Sequence, residues 1–186
     1  MKIGVLAIQG SVIEHKKALE ELGAEVIEVR LADDLNGVVG LILPGGESTA
    51  QARLMKRFGL FDEVRKFAHS GKAVWGTCAG AILLAKSASG KNPPDTLGVM
   101  NITADRNAYG GQLDSVESDI DFNGKSFRSI FIRAPKIRPL GGGVKTLATV
   151  NGEPVALREG NMFATSFHPE LTDDTRVHEY FLRMCR

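Results

Sequence analysis

Short, strongly apolar runs separated by helix-forming segments constrain this chain more than anything else in it. Residues 2–8, 25–31, 38–43 and 72–76 read as strands, and the third is apolar throughout apart from Gly40. A strand that does not alternate polar with apolar residues is buried on both faces, as in a parallel sheet covered by helices. Between the first two, Ser11 and Glu14 have capping-box spacing. The helix they open carries apolar residues at Val12, Ala18, Leu19 and Leu22 and stops at Gly23. Further helices are expected over residues 50–58, 62–70, 79–88 and 173–184. After a polar loop at residues 89–95 the texture changes. Short strand candidates follow over residues 99–103, 115–122, 129–132, 144–150, 154–158 and 161–165. No repeat or long linker divides the chain. Residues 1–186 are therefore expected to form one α/β domain, a three-layer sandwich whose mostly parallel central sheet is flanked by helices, with a strand-rich second half.

Charge narrows the partners. With 23 basic and 22 acidic residues the formal net charge is +1, which gives no electrostatic reason to bind nucleic acid or an anionic membrane. No apolar run approaches the ~20 residues that span a bilayer. The start of the chain runs straight into a strand pattern, without the zones of a signal peptide. The two cysteines, Cys78 and Cys185, cannot build a disulfide scaffold, and a reducing, cytoplasmic setting is expected. His15, His69, His168 and His178 lack zinc-ligand spacing, so no metal is expected.

Gly76-Thr77-Cys78-Ala79-Gly80 places a cysteine between an apolar strand and an apolar helix, with small residues around it. That is the arrangement of a nucleophile elbow, in which a sharp turn lifts the side chain clear of the sheet. A helix N-terminus beside the sulfur favours the thiolate. The competing reading is a buried structural cysteine. Ser166-Phe167-His168-Pro169-Glu170 supplies a histidine and a carboxylate two residues apart. His168 can take the thiol proton and later protonate a leaving amine, while Glu170 orients the imidazole. Pro44-Gly45-Gly46-Glu47-Ser48 follows the carboxyl end of a strand, where open α/β sheets bind ligands. Its glycines let backbone amides approach a ligand, so the amides of Gly46 and Ala79 are candidates for an oxyanion hole.

These three motifs together resemble the class I, triad-type glutamine amidotransferases. Three more narrow the resemblance: residues 9–15, Arg106-Asn107-Ala108-Tyr109-Gly110 and Phe131-Ile132-Arg133-Ala134-Pro135. The set of six, spread over nearly the whole chain, is similar to the family of glutaminase subunits of pyridoxal 5′-phosphate synthases. The resemblance implies hydrolysis of L-glutamine to L-glutamate and ammonia through a cysteinyl thioester on Cys78. It implies delivery of the ammonia to a (β/α)₈-barrel synthase subunit within a large hetero-oligomer. No cofactor is implied, since the vitamer is the partner's product. Carried over by motif, Gly46, Glu47, Ser48, Arg106, Ile132 and Arg133 line the glutamine site. Arg106 suits an α-carboxylate and Glu47 an α-ammonium. The chain departs from the family at Gly111, where an arginine is usual. Gln9 and His15 lie near the first βα turn and are candidates for the partner interface. Three alternatives remain at this level: a glutaminase for another synthase, a cysteine hydrolase of similar architecture, and an inactive regulatory subunit.

Overall fold

The computed structural model describes residues 1–106 and 115–186. Asn107, Ala108, Tyr109, Gly110, Gly111 and Gln112, and with them the departure at Gly111, lie outside the described residues. The first half alternates strand and helix. Strand β1 (Lys2–Leu6) leads to helix α1 (Val12–Glu21), then β2 (Glu25–Val29) and β3 (Gly40–Leu43). Helices α2 (Ser48–Arg57) and α3 (Leu60–His69) follow, then β4 (Ala73–Thr77) and α4 (Ala79–Leu84). The second half holds β5 (Ala85–Ser89), β6 (Met100–Asp105), β7 (Ser115–Phe122), β8 (Lys125–Ile132), β9 (Lys136–Pro139), β10 (Lys145–Val150), β11 (Glu153–Glu159) and β12 (Met162–Thr165). Helix α5 (Arg176–Met184) ends the chain.

The central sheet has the order β10-β11-β12-β4-β3-β1-β2. Strands β2, β1, β3, β4 and β12 run parallel, and β11 and β10 extend the sheet antiparallel. A small sheet β5-β6-β9 and the hairpin β7-β8 lie outside it. Side chains of the central strands alternate between two cores, which is why their runs are apolar without interruption. Leu41, Leu43 and Val74 pack with α2, α3, α4 and β6. Ile42, Trp75 and Phe163 pack with α1, α5 and the β7-β8 hairpin. The outer edge, β2, carries Glu25 and Glu28, paired with Lys2 at 3.5 Å, Lys16 at 3.1 Å and Arg30 at 2.6 Å.

Two expectations change. The helix after Cys78 stops at Leu84 instead of running to residue 88, because residues 85–89 pair in parallel with β6. Residues 136–139, expected to be part of a connection, form β9 against β6. At the strand–helix junction a Cβ on Gly76 would strike the backbone of Gly80, and one on Gly80 would strike the Leu43 carbonyl. β3, β4 and α4 therefore touch backbone to backbone. Gly80→Ala should lower the unfolding free energy in urea by ~2 kcal/mol or more. Gly141→Ala, where a Cβ meets open space, should stay within ~1 kcal/mol of wild type. Equal stabilities would refute the close contact.

The second core holds two fully buried imidazoles, His15 of α1 and His178 of α5, with Nδ1 of the first 2.9 Å from Nε2 of the second. Trp75 stands edge-on to both, at 5.3 and 4.9 Å. Burial depresses both pKa values against the opposing pull of Glu170, and takes His178 down to about 3. The unfolded chain, with histidines near pKa ~6.5, binds more protons in the interval below that value. Stability present above pH ~6.5 is thus lost as pH falls toward the folded pKa values. The urea midpoint should drop between pH 7 and 4.5, and His178→Gln should flatten that slope. A slope as steep as wild type would contradict the assignment.

Candidate active site

Four adjacent strand ends build the site. β12, β4, β3 and β1 all run parallel, so their carboxyl ends open on one rim, beside the switch in strand order between β1 and β3. Cys78 leaves β4 with φ 47° and ψ −99° and forms the N-cap of α4. A non-glycine residue in this region carries strain of about 1–3 kcal/mol and persists only where its surroundings impose it. Here the Cys78 N–H donates to the Thr165 carbonyl of β12 at 2.8 Å, and its carbonyl accepts from Ile82 N–H at 3.2 Å. The Sγ atom lies 3.8 Å from the Ile132 carbonyl at the end of β8.

His168 and Glu170 follow β12, with Pro169 opening a short 3-10 turn. Nδ1 of His168 is 2.8 Å from Oε1 of Glu170. Burial works against charge on His168, yet its contacts with Cys78 and Glu170 raise the imidazole to about 10. Burial pushes the Glu170 carboxyl up, but His15, His168 and Ser11 together hold it down at about 2. Ser11 does not form the expected capping box. Its hydroxyl donates to Glu170 Oε1 at 2.7 Å and makes no cap bond. A hydrogen bond to a buried carboxylate is about twice as strong as a neutral one, and outweighs a cap worth ~1 kcal/mol. His15 is also displaced from its expected place at a partner surface, because it is wholly buried behind Glu170.

The glycine turn after β3 closes over the histidine. A Cβ at Gly45 would run into the His168 ring. The Gly45 carbonyl accepts from Ser11 N–H at 3.1 Å, and Glu47 N–H donates to Gln9 Oε1 at 2.9 Å. Gln51 ties the two loops together, its Nε2 donating to the carbonyls of Gln9 and Pro44 at 3.0 Å each. Glu47 caps α2 by accepting from Thr49 N–H and Ala50 N–H at 3.0 and 2.7 Å. Burial opposes its ionisation, but those amides and Arg106 keep its carboxyl below the usual range. Arg106 Nη2 lies 3.1 Å from Glu47 Oε1, while Nη1 donates to Lys91 O and Asn92 O.

A cleft of about 330 Å³ gathers these groups. It is lined by Cys78, His168, Gly46, Glu47, Ser48, Ala79, Arg106, Ile132 and Arg133, with Gln9 and Ile82 added. Arg133 also has positive φ, at 43°, which turns the chain after β8 toward the cleft. Glu170 sits behind His168, out of the cleft. Sequence reasoning did not place Ile82 near the site, nor did it bring Ser11 to Glu170 or Thr77 to His15. The signal for Ile82 was available, since residue i+4 of a helix that starts beside the nucleophile faces the same side. Among the described residues no cluster of His, Cys, Asp or Glu is able to hold a metal ion, and no helix is long and apolar enough to cross a membrane.

Known proteins match this arrangement along its whole length. "Pyridoxal 5′-phosphate synthase subunit PdxT" of Oenococcus oeni is 53% identical over 188 residues, covering 100% of this chain and 97% of the relative. The protein of the same description from Thermosipho africanus is 50% identical, with 100% of each chain covered. A crystal structure described as a glutamine amidotransferase superposes with a TM-score of 0.93 at 49% identity, covering 98% of both chains. The PurLQS structure from Thermotoga maritima shares the fold, with a TM-score of 0.74 at 19% identity, covering 100% of this chain and 98% of that one. The model of the SNO glutamine amidotransferase family matches residues 5–186. The chain belongs to that family.

Proposed function

We propose that this chain is the glutaminase subunit of a pyridoxal 5′-phosphate synthase, with Cys78, His168 and Glu170 as its catalytic triad. It hydrolyses L-glutamine to L-glutamate and ammonia, and the ammonia serves vitamin B6 biosynthesis in a synthase partner. The observation that carries the triad is the junction at Cys78. A strained elbow presents the sulfur at a helix N-terminus beside an imidazole that Glu170 holds at 2.8 Å.

The chemistry follows from that geometry. Cys78 Sγ attacks the side-chain amide carbon of glutamine, and the carbonyl oxygen gains the negative charge. The amides of Gly46 and Ala79 are the proposed donors to that oxygen. Collapse breaks the C–N bond, and His168 supplies the proton with which ammonia leaves. The resulting thioester is hydrolysed by water, whose proton returns to His168, and glutamate departs. Glu170 keeps the imidazole in the tautomer that points Nε2 at the reacting atoms. At the far end of the cleft, Glu47 and Arg106 set a carboxylate beside a guanidinium, complementary to the ammonium and carboxylate of an amino acid. Ser48, Ile132 and Arg133 complete the proposed substrate wall. The proposal extends to a cytoplasmic setting and to a (β/α)₈-barrel partner in a large assembly, which the resemblance of the six motifs supports.

Glutamate release from glutamine should be measured with and without the synthase subunit of the same organism. Cys78→Ala and His168→Asn should abolish it while leaving binding to that subunit intact, and normal turnover in either would sink the mechanism. Glu170→Gln should reduce kcat less than loss of the nucleophile does, because orientation is lost and the attacking group is kept. Activation by a different synthase alone would overturn the pathway.

A further inference from the structure

The triad reading leaves one oxygen of its carboxylate unexplained. Oε1 of Glu170 accepts from Ser11 and pairs with His168. Oε2 is buried and has no hydrogen-bond partner among the described residues. Nε2 of His15 lies 3.6 Å from it and 3.2 Å from Thr77 Oγ1. Behind His15 stands His178, whose Nδ1 is buried without a hydrogen-bond partner among the described residues.

These contacts favour one arrangement of the protons. Of the two neutral tautomers of His15, the one with its hydrogen on Nε2 turns that N–H toward Thr77 Oγ1 at 3.2 Å and toward the Glu170 carboxylate at 3.6 Å, and the negative charge favours it. Nδ1 of a neutral His15 is then an acceptor, and the 2.9 Å neighbour, His178 Nε2, must be its donor. That leaves His178 Nδ1 as a bare acceptor, consistent with its lack of any partner. The Ser11 hydroxyl and the His15 N–H thus face Glu170, the His178 N–H is directed at His15 Nδ1, and Nδ1 of His168 pairs with Oε1.

We infer that His15, backed by His178, is a positioning residue for catalysis: its neutral N–H faces the second oxygen of Glu170 at 3.6 Å, and that dipole keeps the carboxylate oriented on His168. A buried cation in that place would pair with Glu170 and draw its charge away from the imidazolium it has to stabilise. A neutral dipole restrains the carboxylate and leaves the charge to His168. The site is built for rigidity. Trp75 packs edge-on against both imidazoles, and its Nε1 is anchored to Thr165 Oγ1 at 3.2 Å. Ser11 and His15 lie one helical turn apart at the start of α1, so one element faces both oxygens of the carboxylate, Ser11 through a hydrogen bond of 2.7 Å and His15 across 3.6 Å.

The inference rests on the triad reading, and its test separates the two. His15→Gln puts an amide N–H near the position of Nε2, whereas His15→Asn reaches only the position of Nδ1. Both are compared for glutamate release in the complex with the synthase subunit, in wild-type and Glu170→Gln backgrounds. His15→Gln should keep most of kcat, and His15→Asn should lose on the order of tenfold, with KM for glutamine changed less than ~2-fold. In the Glu170→Gln background the difference between the two should shrink below ~2-fold, because the group being positioned is gone. Equal losses in Gln and Asn, or losses that add fully to that of Glu170→Gln, would overturn the inference and leave the triad standing. Wild-type turnover in Glu170→Gln would remove the triad reading and this inference with it.

Discussion

Backbone has to touch backbone where β4 hands over to α4, and the rest of the site is arranged around that contact. The Leu43 carbonyl, the Gly80 peptide and Gly76 occupy space that a single methyl group would fill. Only this closeness lets the chain reverse so sharply that Cys78 takes a positive φ and stands at the head of the helix. The strain is local, and the restraint comes from both neighbours. β12 holds the Cys78 amide, and β3 supplies both the crowding carbonyl and the glycine turn that covers His168. Parallel strands are the natural way to obtain this, since their carboxyl ends emerge side by side and can contribute to one cleft.

Behind the reacting atoms the logic changes from sterics to polarity. Glu170 is a buried charge, and a buried charge must be surrounded by donors. Its demand outweighs local preference: Ser11, placed by its spacing to cap α1, turns to the carboxylate instead. The same demand explains imidazoles in a core otherwise made of Trp75, Phe163, Phe167 and Phe181. His15 and His178 bring N–H groups into an apolar layer without importing a net charge, because burial keeps both of them neutral.

Much of this was legible in the amino-acid order, and what was not has a common cause. Apolar runs such as residues 38–43 report a sheet covered on both faces. The small residues around Cys78 report a tight elbow, and His168 with Glu170 needs only two residues to announce itself. Each of these signals is local. The pairing of residues 85–89 with β6 depends on a partner strand, and it cut short a helix that composition alone would have extended. His15 and His178 are separated by 163 positions, and neither carries a local mark of burial, so His15 reads as a polar residue near a turn. Thr77 and Gln51 likewise acquire their contacts with His15 and Gln9 across long stretches of sequence.

The open rim of the sheet has a different importance. Among the described residues β2 is an outermost strand of the central sheet, the position at which a stray strand could add itself. Along that rim Glu25 and Glu28 are engaged by Lys2, Lys16 and Arg30, a band of hydrated ion pairs that an incoming chain would have to strip. The band acts as a guard against edge-to-edge aggregation at this end of the sheet.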